Sequence, residues 1–171
     1  NQLLLELQNG VDTYWLSQPL RTGVGQNYSL NMDGGSKEFR WSVSLGFSQT
    51  IGVMNGSKRD NFNGAVTLTY NLPKVLCRNQ TRIQTTRGDE SIYGSFSEYV
   101  QMNPYWRPYD ENGLPIKNYT TANLITVPNP LYNASLNSFQ YNKSMQVSDN
   151  FSVEWRPLEG MKLIARLGIN K

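Results

Sequence analysis

Chemistry in this 171-residue sequence could come from two adjacent carboxylate pairs, Asp89-Glu90 and Asp110-Glu111, and from one aromatic and charged run, Tyr105-Trp106-Arg107 with Tyr109-Asp110. Paired carboxylates hydrolyse a glycosidic bond when they flank it, about 5 to 9 Å apart on a rigid cleft. Neighbours in sequence set among turn-forming residues do not meet that geometry, so both pairs read as solvated loop charges. The sequence contains no histidine, which removes the commonest general base, the commonest metal ligand and any Ser-His-Asp triad. Cys77 is the single cysteine; no intrachain disulfide can form, and the residue reads as a small apolar strand residue rather than a reactive thiol. Asp110-Glu-Asn-Gly113 places its glycine too early for an EF-hand loop and has no closing bidentate Glu. The expectation is a non-enzyme with no catalytic residue, no metal ligand and no cofactor.

The aromatic run admits two readings. Tyr105, Trp106 and Tyr109 could offer flat surface, and Arg107 and Asp110 hydrogen-bonding groups, to a sugar or peptide ligand. The favoured reading is that the proline-bracketed aromatics pack the loop against itself while Asn112-Gly113 turns a hairpin. All five residues lie within 88–142, a stretch with Pro104, Pro108, Pro115, Pro128 and Pro130 and no sustained period; excursions of this length are functional or disordered. Charged residues are only 17% and the net charge of +3 is scattered, so nucleic acid is not an expected partner. The glycosylation-like triplets at Asn27, Asn79, Asn118 and Asn133 follow from a composition rich in Asn, Ser and Thr.

The elements that would hold this loop announce themselves by a period of two. Phe39, Trp41, Val43, Leu45 and Phe47 alternate without lapse with Arg40, Ser42, Ser44 and Gly46, which makes a strand with one apolar and one polar face. Nine residues match the roughly nine to eleven that a tilted strand needs to cross hydrocarbon. Tyr28, Leu30 and Met32 alternate ahead of an Asp33-Gly-Gly-Ser36 turn. After a longer polar connection over 51–60, Val66, Leu68, Tyr70 and Leu72 alternate, and Pro73-Lys74 reverses the chain. A strand from Val75 to about Thr86 is the weakest, because Cys77, Asn79, Thr81, Ile83 and Thr85 would share its apolar face: either it leaves the bilayer early or its register is different. Met145, Val147, Phe151, Val153 and Trp155 alternate next, interrupted by Asp149, and Met161 to Ile169 alternate after a turn at 156–160. Connections run short, long, short, very long, short, the rhythm of an outer-membrane barrel with tight periplasmic turns and extended outer loops. Phe39, Trp41, Val43, Leu45, Phe47, Val66, Leu68 and Tyr70 are therefore the expected lipid-facing residues. Trp41, Tyr70 and Trp155 would stand in aromatic girdles or serve as ordinary lipid-facing or packing residues. Arg40, Glu154, Lys162 and Arg166 fall on the polar face.

The organisation expected is a helical or irregular lead-in over 1–25, where Leu4, Leu7, Val11, Trp15 and Leu16 keep rough helical spacing, four strands over 26–87, a long outer loop over 88–142 and two further strands over 143–171. The fold expected is all-β: an antiparallel meander of about six strands from a large transmembrane β-barrel, with a short N-terminal helix and one long loop. The absence of an initiator Met and the alternation still running at Ile169 suggest a segment of something larger.

Several strings carry a resemblance. Thr22-Gly-Val-Gly-Gln-Asn-Tyr-Ser-Leu-Asn-Met-Asp-Gly-Gly-Ser36, the Phe39–Gly46 strand and Gly52-Val-Met-Asn-Gly-Ser57 resemble the first barrel strands of SusC/RagA-type TonB-linked outer-membrane receptors. Asn103-Pro-Tyr-Trp-Arg-Pro-Tyr-Asp-Glu-Asn-Gly113 and Asn129-Pro-Leu-Tyr-Asn-Ala134 are similar to their long loop, and the pieces keep their order across nearly the whole chain. The resemblance implies a barrel of about 22 strands in the bacterial outer membrane, importing oligosaccharides or peptides beneath a SusD-type surface lipoprotein, with TonB acting through an N-terminal plug. Plug and TonB box are missing here, and the strand around Cys77 to Gln84 is more polar than the family's; the resemblance thus implies that these residues alone neither couple energy nor gate a channel. The competing reading from another class is a soluble carbohydrate-binding or adhesive β-sandwich, which would bury Trp41, Leu45, Val66 and Leu68 between two sheets. A jelly-roll enzyme ranks behind both for want of catalytic residues.

Overall fold

The computed structural model describes residues 2–121, 123–136 and 138–171. In chain order these form α1 (Gln2–Gln8), a single 3-10 turn (Trp15–Ser17), β1 (Val24–Gly35), β2 (Phe39–Ile51), β3 (Lys58–Asn71), β4 (Val75–Asp89), α2 (Phe96–Val100), β5 (Asn118–Thr120), β6 (Thr126–Pro128), α3 (Pro130–Ser135), β7 (Tyr141–Trp155) and β8 (Leu163–Asn170). Six strands make one antiparallel sheet in the order β1-β2-β3-β4-β7-β8, and β5 pairs with β6 in a separate ribbon. The large sheet is an open meander rather than a closed barrel: β1 and β8 each have one neighbour.

Contacts divide the chain into two units, one holding 25–50, 59–88 and 142–171 and the other holding 1–24, 51–58 and 89–141. In the sheet unit, alternation dictates the strands and tight turns join them. Ser36 Oγ accepts from the amides of Glu38 and Phe39 at 3.3 and 3.2 Å, closing the β1–β2 turn. Gly35 precedes it at φ +134, a conformation that side-chain-bearing residues rarely adopt. Leu72 and Val75 exchange backbone hydrogen bonds around Pro73-Lys74. Adjacent short turns are tied together, Asn71 N to Glu38 O at 2.6 Å and Arg156 N to Lys74 O at 2.8 Å.

Several strand limits differ from the sequence reading: β4 runs on to Asp89 and β7 begins at Tyr141, and two differences move a connection. β1 runs through Asp33-Gly-Gly35, so the reversal falls at 36–38, and β3 begins at Lys58 instead of near Val66, which shortens the preceding connection. A ladder needs backbone N–H and C=O groups, not apolar side chains. Here polar cross-strand pairs continue it: Gln49 Nε2 donates to Asp60 Oδ1 at 3.0 Å and Asn61 Nδ2 to Ser48 Oγ at 3.2 Å.

The buried apolar side chains found among the described residues all lie in the second unit: Trp15, Tyr99, Met102, Tyr119 and Leu131, with Pro19 and Pro130. Leu16, Tyr93, Trp106, Ile116 and Val127 pack around the first five. The stretch 89–141 is thus folded about its own small core, joined there by Trp15 from the lead-in. The sheet unit contributes no side chain to this list and has no apolar interior of its own.

Candidate functional site

In the second unit, the segment carrying the aromatic run is clamped from two sides. From the lead-in, Thr13 N donates to Pro104 O (2.8 Å), Thr13 Oγ1 to Trp106 O (3.0 Å) and Trp15 Nε1 to Asn103 O (2.8 Å). From beyond the run, Tyr119 OH donates to Arg107 O (2.7 Å) and Asn129 Nδ2 to Pro108 O (2.9 Å). Asn129 is fully buried with its polar atoms engaged, since Oδ1 also caps α3 by accepting from Leu131 N at 3.0 Å.

Trp106 lies flat on Tyr119, ring centroids 4.6 Å apart and planes 4° from parallel, so one indole face is already covered. Arg107 Nε meets Glu6 Oε2 at 2.5 Å. Asp110 is a turn residue: its Oδ1 accepts from Asn112 N and Leu114 N, both at 2.9 Å, and Gly113 completes the reversal at φ +77. Tyr105 and Tyr109 remain exposed. Of the five candidate ligand residues, Trp106, Arg107 and Asp110 therefore hold the loop together, and the two tyrosines keep free ring surface. Burial pushes the phenols of Tyr99 and Tyr119 above the ordinary tyrosine value, and the Glu98 carboxylate adds to the effect on Tyr99.

In the sheet unit, side-chain contacts fix which residues share a face. Tyr28 stacks on Phe47, Phe39 lies against Tyr70, and a Cβ placed on Gly34 would touch the Trp41 ring at 3.0 Å. One placed on Gly64 would meet Ile83 at 3.0 Å and Leu45 at 3.7 Å. These contacts, with the β7–β8 pairing of Phe151 with Leu167, Val153 with Ala165 and Trp155 with Leu163, gather most of the apolar residues of all six strands on one face, Leu76 and Ile164 being exceptions. That face is uncovered within its unit: Leu45 is 39%, Leu68 40% and Leu167 62% exposed. Phe39, Phe47, Val66 and Tyr70 are also exposed, and Trp41 and Val43 are half-buried by their lateral neighbours. Trp41, Leu45, Val66 and Leu68 therefore do not meet between two stacked sheets.

The polar residues of β4 and the interruption in β7 explain each other. Asn79 Nδ2 donates to both oxygens of Asp149 (3.0 and 3.1 Å), and Thr81 Oγ1 donates to Oδ1 (2.6 Å). The three form a closed polar island on the apolar face, so β4 keeps its alternating register through Asn79 and Thr81.

The opposite face is lined by Ser, Thr, Asn, Gln and Arg. Thr86 Oγ1 donates to Asn61 Oδ1 (2.9 Å), continuing the Asn61–Ser48 bond across three strands. Asp33, Arg40, Arg78, Thr67 and Thr69 border one shallow recess, and Arg78, Gln80, Asn150, Ser152 and Arg166 border the next. Near the short turns, Glu154 is held by Arg156 Nη2 (2.5 Å) and Lys162 Nζ (2.7 Å). Arg78 and Arg82 were missed as candidates because β4 lacks clean alternation; the Asp149 interruption was the available clue to its register.

Among the described residues no group of three His, Cys, Asp or Glu is placed to hold a metal ion. No helix among them is long and apolar enough to cross a membrane, which says nothing of strands. No protein-family model matches the chain, and no curated protein matches it either.

Proposed function

We propose that this chain contributes six strands to the wall of an outer-membrane β-barrel and one large loop unit to its outer side, as part of a TonB-linked nutrient importer of the SusC/RagA type. The observation that carries the reading is the two-faced sheet without an interior. Five of its strands are 12 to 15 residues long, beyond the five or six usual in soluble proteins. A water-soluble sheet covers its apolar face with a second layer; hydrocarbon performs that role for a barrel wall. The β-sandwich alternative needs a second large sheet, whereas the other ribbon here has strands of only three residues. The resemblance supplies the finer terms: oligosaccharide or peptide cargo, a SusD-type lipoprotein partner, and TonB acting through a plug.

The two Trp pairs make the test. Trp41 and Trp155 stand on the apolar face, and Trp15 and Trp106 belong to the core of the loop unit. In single-Trp versions of the full-length protein reconstituted in vesicles, lipids brominated on their acyl chains should quench Trp41 and Trp155 and leave Trp15 and Trp106 bright. Equal quenching of all four, or none, defeats the proposal.

A further inference from the structure

We infer that the polar face of the sheet is a track for an anionic oligosaccharide, its acidic groups engaged by Arg40, Arg78, Arg82 and Arg166; this rests on the reading that this face lines the lumen of a barrel. The geometry is a row. Ser152 is the sheet partner of Arg166, and its hydroxyl reaches Arg78 O on the next strand, so Arg78, Ser152 and Arg166 lie side by side across β4, β7 and β8. Arg78 also borders the recess that holds Arg40 of β2, across β3. Along this row arginines thus recur on every second strand, about 10 Å apart, a spacing on the scale of a disaccharide repeat. Arg82 stands four residues along β4, about 13 Å from Arg78.

Charge on this face is one-sided. Arg59 joins the four arginines by its parity on β3, against Asp33 and Glu154 as the acids. Glu154 is taken by Arg156 and Lys162. Asp33 lines the recess of Arg40 and Arg78 without forming an ion pair to either, and among the described residues Arg40, Arg78, Arg82 and Arg166 are exposed and in no ion pair. Exposed guanidinium forks bind carboxylate or sulfate in a bidentate way, and a wet channel walled by low-dielectric material concentrates anions before they bind. Between the arginines stand hydroxyls and amides, Thr67, Thr69, Gln80, Asn150 and Ser152. These match the hydroxyls of a sugar, whereas the large apolar side chains that would hold a peptide's side chains are kept almost wholly to the other face.

The test uses the full-length protein in detergent, with isothermal titration of a uronic-acid tetrasaccharide, a sulfated and a neutral tetrasaccharide, and tetraglutamate. Both anionic sugars are expected to bind better than the neutral one, and the stronger of the two identifies the acidic group. Binding should weaken as salt rises. The pair Arg78→Gln with Arg166→Gln should weaken anionic binding at least about tenfold, from the loss of charged hydrogen bonds, and weaken the neutral sugar far less, while Arg78→Lys with Arg166→Lys should retain part of the anionic binding. Equal affinity for neutral and anionic sugars, tighter binding of tetraglutamate, or indifference to the Gln pair overturns the inference. Heat-shifted mobility on gels in the outer-membrane fraction is scored in parallel for wild type and variants. If the wild type shows none, the lumen reading and this inference fall together; a folded barrel without anion preference removes this inference alone.

Discussion

Val43 and Ser44 are one residue apart on β2 and point to opposite faces, so the same substitution at each asks directly what each face touches. Val43 is four residues from both Phe39 and Phe47, which is about 13 Å each way along the strand. In the proposed barrel, with the strand tilted by about 40°, that would be roughly 10 Å along the membrane normal, near the centre of an apolar band about 25 Å tall. A lysine there costs about 2 to 4 kcal/mol, or about 30- to 800-fold in the folding equilibrium. Ser44 borders a recess with Arg82, so Ser44→Lys meets a like charge, but in water that repulsion is about 1 kcal/mol even at 4 Å. Val43→Lys should therefore be the more damaging of the two by at least about 1 kcal/mol, taking the low end of the first range against the full repulsion in the second. The measurement is equilibrium folding of the full-length protein into lipid vesicles from guanidinium chloride, followed by heat-shifted mobility. Equal stabilities, or a greater loss from Ser44→Lys, would refute the assignment of faces.

Asp149→Ala should destabilise by about 1 to 3 kcal/mol, because Asn79 and Thr81 lose their shared acceptor on the apolar face, and the added change Asn79→Ala with Thr81→Val should restore part of that loss in the same vesicle assay. Asn129→Ala removes a helix cap and a buried bond to Pro108 together and should cost about 2 to 3 kcal/mol, read as faster proteolysis of the loop with the strands still protected. Tyr99 and Tyr119 ionise less readily folded than unfolded, so the stability they lend the loop unit is complete below the ordinary tyrosine value of 10.0 and drains away as pH rises past it. Alkaline titration of tyrosinate absorbance should show two phenols lagging behind the rest, and Tyr119→Phe should remove one of them. Glu6→Gln should change stability by less than about 1 kcal/mol, since its pair with Arg107 lies at the surface; a larger loss in a melting curve would show that α1 depends on that pair.

The sheet was legible because alternation is a local signal: Phe39 to Phe47 states strand, length and facing in nine letters. Lys58-Arg59-Asp60 hid the start of β3, since nothing apolar marks a ladder continued by polar pairs. Asn79 and Thr81 made β4 look doubtful when read alone, because their partner Asp149 is some seventy residues away. The loop unit was the least legible. Its core takes Trp15, Tyr99, Met102, Tyr119 and Leu131 from widely separated segments with no shared period, so packing there is a property of the assembled chain. The aromatic run was visible as chemistry, but Tyr119, which covers Trp106, and Asn129, which holds Pro108, gave no signal beyond an ordinary Tyr and a helix-capping Asn-Pro.

The base of the loop unit has a further consequence. Glu90 N bonds Gln140 O at 2.9 Å, so the excursion leaves and re-enters at one point and resembles a cassette that could be traded. Yet Ser91 Oγ reaches Asn55 O, Asn55 N reaches Pro19 O, and Trp15 fills the interior. Three separate stretches of chain are keyed to one another. A chimera that transplants 91–139 alone would strand the donor's half of that lock against a foreign lead-in, so recombination between relatives must move all three stretches at once or lose the loop.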